Sequence, residues 1–229
     1  MSLSYRRSVP LSELADADGW YLFWQSFPAS RFNCPVPFIR SSAHMAVTLL
    51  FVPEVTSPFP SPAHWELSMS SWVLPSGPVD LLIFDDWEPP QDTFGIEVFR
   101  ADGSLAFNSG WPILMLHDVA TLAPLAVTFS QNYQHPISDT GALAVGLDSS
   151  KSYYHGGAEA DGWMLCPGSR VEANQISVSL VPWGTESASY PSGGPGGSVA
   201  FSGYLAPGNT TMMIADTSQL PAAPYRADS

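Results

Sequence analysis

Phe94-Gly95-Ile96-Glu97-Val98-Phe99-Arg100-Ala101-Asp102-Gly103-Ser104-Leu105-Ala106-Phe107-Asn108-Ser109 sets two alternating apolar runs on either side of Asp102-Gly103. An Asp-Gly pair in that position predicts a β-hairpin, because glycine takes up the positive φ that a tight primed turn needs. The register follows from parity. A two-residue turn at Asp102-Gly103 sets Val98 opposite Phe107, and a four-residue loop over 100–103 sets Val98 opposite Leu105 and Ile96 opposite Phe107. Both put Ile96, Val98, Leu105 and Phe107 on one face and leave Glu97, Ala106 and Asn108 on the other. A three-residue loop would set Glu97 opposite Phe107 and mix the faces, so it is not expected.

Outward from the hairpin, the chain reads as more strands. Toward the N-terminus lie Val79 to Phe84, the alternating Trp65, Leu67 and Met69, the run Met45 to Val52 as a buried strand, and the aromatic run Trp20 to Trp24. A continuous run of that kind buries both faces or lays one against a partner. Leu11 to Ala15 is read as one short helical turn, and the residues before Pro10 as polar and loose. Toward the C-terminus, short strands are expected at Ile113 to Leu116, Leu125 to Phe129, Ala142 to Leu147 and Met212 to Ala215, and around Val199, Phe201 and Leu205. Gln175 to Val181 alternates, with Ile176, Val178 and Leu180 inward. Tyr153 to Gly157, Ser192 to Gly197 and the tail from Leu220 read as loop or extended chain. No window supports an amphipathic helix, and 22 Pro and 18 Gly punctuate the strands. The fold class is therefore all-β and β-sandwich-like with very little helix, arranged as one domain or two lobes. The acidic, proline-containing stretch Asp85 to Asp92 divides a β-rich region, 1–90, from a sandwich-like domain, 91–229, that the hairpin opens.

Composition narrows the function. Hydrophobic residues make up 45% of the chain, enough to build a packed core. Charged residues make up only 13%, about half the usual share. Surfaces this poor in charge are often buried in an assembly, so a homo-oligomer is expected. The net charge is −13, and Lys151 is the only lysine. Clustered cations that could hold nucleic acid or an anionic membrane are missing. No apolar stretch is long enough to span a bilayer, and Met1 to Arg7 is not followed by the apolar core of a signal peptide. Cys34 and Cys166 are read as two buried thiols.

The hairpin resembles a pattern of small tailed-phage virion proteins, GxxVFxxDGxLxFxS, through Gly95, Val98, Phe99, Asp102, Gly103, Leu105, Phe107 and Ser109. The resemblance implies a structural protein of the tail, baseplate or tail fibre, made in the host cytoplasm and carried in the virion. Its implied partners are other tail proteins, copies of itself and a glycan or protein of the host surface. A capsid-associated or decoration protein is the alternative within the same setting, and a carbohydrate-binding module lies outside it.

Nothing in the residue pattern argues for catalysis. The five histidines are isolated, so no metal-ligand pair with strand or helix spacing exists. Aligned as a calcium loop on Gly19, the chain puts Leu14 and Gln25 at the outer ligand positions, and both fail. The carboxylates Asp85, Asp86, Glu88 and Asp92 invite a glycosidase reading but fit a solvated linker better. Gly196 to Ala200 lacks the last glycine of a nucleophile elbow, and no histidine follows Ser198. No catalytic residue, cofactor or metal is expected. The candidate contact residues are aromatics at strand ends and in loops: Trp87, Trp111, Tyr153, Tyr154 and Trp183, with Tyr133 and Trp163 beside them.

Overall fold

The protein is described by a computed structural model over residues 1–17, 19–56, 60–89, 95–123, 126–128, 131–138, 142–148, 153–156, 162–183, 202–204 and 208–227. Its strands in the first half are β1 (Ser2–Val9), β2 (Ala15–Ala17), β3 (Trp20–Pro28), β4 (Val36–Arg40), β5 (Ala46–Val52), β6 (His64–Ser71), β7 (Val79–Asp85), β8 (Glu97–Phe99) and β9 (Leu105–Asn108). The second half adds β10 (Met115–Leu122), β11 (Tyr133–Pro136), β12 (Leu143–Leu147), β13 (Tyr153–Gly156), β14 (Gly162–Val171), β15 (Gln175–Pro182), β16 (Ser202–Tyr204), β17 (Thr210–Asp216) and β18 (Tyr225–Arg226). Leu11–Glu13 forms a 3₁₀ turn, shorter than the helical turn expected over 11–15 because Ala15 already belongs to β2. The fold is all-β and sandwich-like, built from antiparallel sheets.

The central sheet has seven strands in the order β10-β17-β12-β4-β7-β1-β18. Its spine is β7, where parity sends Val79, Leu81 and Ile83 to one face and Leu82 and Phe84 to the other, all buried. Two smaller sheets lie side by side over the first face. The four-stranded sheet β2-β3-β6-β5 packs Phe23, Phe27, Val47, Leu67 and Met69 on Tyr5, Ile39, Leu81 and Ile83. The five-stranded sheet β11-β15-β14-β13-β16 packs Leu165, Ile176, Val178 and Leu180 on Val145, Met212 and Ile214. The inward set expected for β15 is thus in place. The two smaller sheets meet where Met45 and Ser169 exchange backbone hydrogen bonds, each 3.0 Å, and where the Trp72 indole N–H donates to the Leu180 carbonyl at 3.0 Å.

Gly168 marks that crossing. A Cβ there would sit 2.9 Å from the Ala46 nitrogen and 2.7 Å from a Val181 methyl, so only glycine admits the passing backbone.

The far face of the central sheet is covered by chain segments rather than a third sheet. Phe38 and Phe84 stack edge to face at 5.4 Å among Leu3, Ala144 and Ala215. Leu114, Leu220 and Tyr225 close over them. Buried Arg6 fastens the C-terminal segment by donating to the Pro221 carbonyl at 2.7 Å, and Asp80 accepts from both Arg6 and Arg40.

Several expectations are corrected. The opening residues are not loose: β1 pairs with β7 along its length and with β18 on its other side, and this long-range pairing orders a polar-looking stretch. The division into 1–90 and 91–229 does not separate two sheet systems. β1, β4 and β7 share one sheet with β10, β12, β17 and β18. Tyr153 to Gly156 forms a strand rather than a loop. Of the strand expected over 125–129, only residues 126–128 are described, and Thr128 makes a single bridge to Gln131. The loop over 192–197, the elbow-like residues 196–200 and Asp92 lie outside the described residues.

The hairpin forms, but outside the large sheets, as an isolated pair of β8 and β9. Its loop has three residues, against expectation. Arg100 accepts from Gly103 at 3.0 Å and donates to Ser104 at 2.8 Å, and Gly103 sits at φ +84°. Phe99 pairs with Leu105, a bulge follows, and Val98 then pairs with Phe107 and Glu97 with Asn108. The three-residue loop sets Leu105 opposite Phe99, away from the Val98 face, and the bulge then absorbs the odd residue and returns Phe107 to Val98.

Candidate interaction surfaces

Several described groups that could carry chemistry make structural contacts. Asp85 is buried, and its carboxylate accepts backbone N–H groups from Asn33 at 2.8 Å, Cys34 at 2.6 Å and Asp86 at 2.8 Å. It anchors the turn before β4 and does not face solvent with Asp86 as a paired acid. Glu88 reaches Arg100 at 3.8 Å on the surface.

His44 lies 2.9 Å from Ser177 through Nε2, the one Ser–His pair joined through both side chains among the described hydrogen bonds. Ser177 is buried within β15, with no room for substrate at its hydroxyl. Burial, and then the Arg170 charge, push the His44 imidazole down to about 4, so it stays neutral at ordinary pH. Asp118 binds His135 at 2.9 Å across the sandwich edge; the Val119 backbone N–H, and then His135, hold its carboxyl below the usual range. Cys34 is exposed rather than buried, while burial pushes the Cys166 thiol up to about 12. No three His, Cys, Asp or Glu side chains among the described residues converge to hold a metal ion. No described helix is long and apolar enough to cross a membrane.

The described side chains among the predicted contact aromatics fall on several parts of the fold. Trp87, just beyond β7, and Trp111, in the link from β9 to β10, are both half-buried. Trp183 is half-buried against Ala46, Cys166 and Val181, where the smaller sheets meet. Tyr133 packs against the second core. Tyr153 belongs to that core and is 7% exposed, so it is a packing residue. Its expected loop is a strand whose register sets it opposite Leu165 and Tyr204. Tyr154 pairs with Met164 and Gly203 in the ladder; its side chain and that of Trp163 lie outside the described residues.

The exposed apolar side chains lie elsewhere. Ile96, Val98 and Phe99 on the hairpin are exposed, Ile96 by 70%, and so are Met115, Leu116 and Val119 on β10. A bulge at His117 brings Leu116 and Val119 to the same side of β10. On the four-stranded sheet, Trp24 is 56% exposed, and Leu50 and Phe51 are each 50% exposed. Sequence reasoning missed the β10 and sheet residues. Parity held the only signal for Trp24: Phe23 and Phe27 share a face, and Trp24 falls on the other. No protein-family model, curated protein or solved structure matches this chain.

Proposed function

We propose that the chain is a non-enzymatic structural protein that joins other proteins through exposed β-structure, in the tail, baseplate or tail fibre of a tailed-phage virion. One observation carries the assembly part of this reading. Ile96, Val98, Phe99, Met115, Leu116 and Val119 are all exposed within residues 96–119. A large apolar side chain contributes about 1.5–3 kcal/mol when fully buried. Six that are roughly half exposed hold on the order of 5–10 kcal/mol for a partner, comparable to the ~4–15 kcal/mol that association costs. The virion setting is supported by the resemblance of Gly95, Val98, Phe99, Asp102, Gly103, Leu105, Phe107 and Ser109 to the phage hairpin.

Quantitative mass spectrometry of purified virions, from the phage or prophage that encodes the chain, tests the setting. Closed rotational symmetry predicts roughly three, six or twelve copies per particle for a tail or baseplate part. Absence from particles would end the virion reading. Ile96→Asp with Val98→Asp tests the surface: incorporation should fall while the unfolding midpoint holds.

A further inference from the structure

β5 reads Ala-Val-Thr-Leu-Leu-Phe-Val, without a charge, proline or glycine. It pairs with β6 along its whole length in unbroken register. On its other side, among the described residues, only Met45 at its start meets a neighbour, Ser169. From Thr48 to Val52 that edge presents backbone N–H and C=O groups with no strand beside them among the described residues. Leu50 and Phe51 stand half exposed on opposite faces of the strand, and Phe51 lies edge-on to Trp65 at 5.2 Å.

The other edges are defended. β10 carries the His117 bulge and an exposed charge, Asp118 paired with His135, two devices that discourage strand addition. β2 and β16 have 3 residues each and β18 has 2, while β11 ends in Pro136. β5 has neither bulge, charge nor proline.

Charge and parity indicate what covers it. Two copies that each carry −13 meet at low cost only where charge is absent. A two-fold axis normal to a sheet requires a register centred on one residue, because paired residues share a face. Centred on Leu50, the free stretch pairs with itself: Leu50 meets its own copy, Leu49 meets Phe51, and Thr48 meets Val52. No charge enters the ladder. Opposite Leu50 on β6 stands Glu66, already 3.2 Å from His64. It would lie three strand spacings from its copy, ~14 Å, beyond the ~8 Å screening length at physiological salt.

We propose that β5 docks a second copy of this chain, the two β5 strands pairing antiparallel about a two-fold axis at Leu50 to join the four-stranded sheets of both copies. This rests on reading the chain as an assembly protein, but it uses a surface separate from the hairpin and β10, so either can fail alone.

Sedimentation velocity over a concentration series of the full chain tests it. The chain forms a dimer, and Leu50→Lys raises the dimer dissociation constant by at least about tenfold, because the pairing would set two like charges opposite each other and forfeit the Leu50–Leu50 contact. Near-UV circular dichroism of Leu50→Lys stays at the wild-type signal, since the side chain is half exposed. Leu50→Cys in a Cys34→Ser background forms a disulfide-linked dimer on mild oxidation, because opposed Cα atoms in such a ladder lie ~4.5–5.5 Å apart. Val52→Cys, which does not face its own copy, does not. A monomer at every concentration overturns the proposal, including one that gains a strand only from a different protein. So does a dimer that survives Leu50→Lys, or one in which Leu50→Cys fails to cross-link. Any of these leaves the hairpin test of the assembly reading untouched.

Discussion

β7 and β8 lie close together in the chain, both read as apolar strands, and meet opposite fates. Every residue of β7 except Asp80 is buried, whereas every residue of β8 is exposed. Local pattern does not separate them. β7 has strands on both sides and cores on both faces. β8 has β9 alone, and a lone two-stranded ribbon cannot bury its own side chains. The contrast shows that apolar alternation specifies a strand with something to bury. Whether neighbouring strands bury it depends on where the chain is delivered.

Four measurements test this contrast. The largest effect is expected at Phe84, fully buried against Phe38. Phe84→Ala should cost about 3–5 kcal/mol in urea unfolding, and a loss below 1 kcal/mol would erase the distinction between the strands. Next comes Asp85→Ala, which strands the three N–H donors the carboxylate satisfies. It should cost about 3 kcal/mol, whereas a surface acid would cost almost nothing.

A smaller effect is expected from pH. His44 is neutral in the folded protein down to about 4, while in the unfolded chain it takes up a proton below 6.5. Its contribution is therefore fully present above 6.5 and is lost as pH falls toward 4. With partial exposure allowed for, the loss is at most about 2 kcal/mol. His44→Gln should flatten that part of the stability–pH curve, and an unchanged slope would remove His44 as its source. The smallest effect is at Val98. Val98→Ser should leave stability within about 0.5 kcal/mol of wild type, because the side chain is already in water. A larger loss would mean that the hairpin is part of the core.

The regular strands were legible where their pattern was local. Gln175 to Val181 alternates, and Ile176, Val178 and Leu180 are buried. β4 and β14 were missed because Pro37, Pro167 and Gly168 look like breakers. In β14 the glycine is needed for close passage of the β5 backbone, which no local reading contains. Among the candidate contacts, Tyr153 was misread because a Tyr-Tyr-His-Gly-Gly stretch resembles a loop until β14 and β16 pair with it. Met45 to Val52 was expected to be wholly buried. Its first half is buried, and its second half runs beyond the cover at Leu50 and Phe51.

By itself the sequence determined the all-β class, the helical turn at Leu11–Glu13, the Asp102-Gly103 hairpin and a charge-poor surface. Each follows from neighbours in the chain: side-chain parity, a glycine that tolerates positive φ, and a count of charges. Tertiary structure alone decided that β1 lies beside β7, that both halves share one sheet, that a bulge rescues the hairpin register, and that β5 and β10 are edges. These depend on pairing between residues far apart in the chain. A strand's pattern names the face it buries but not the strand it lies beside.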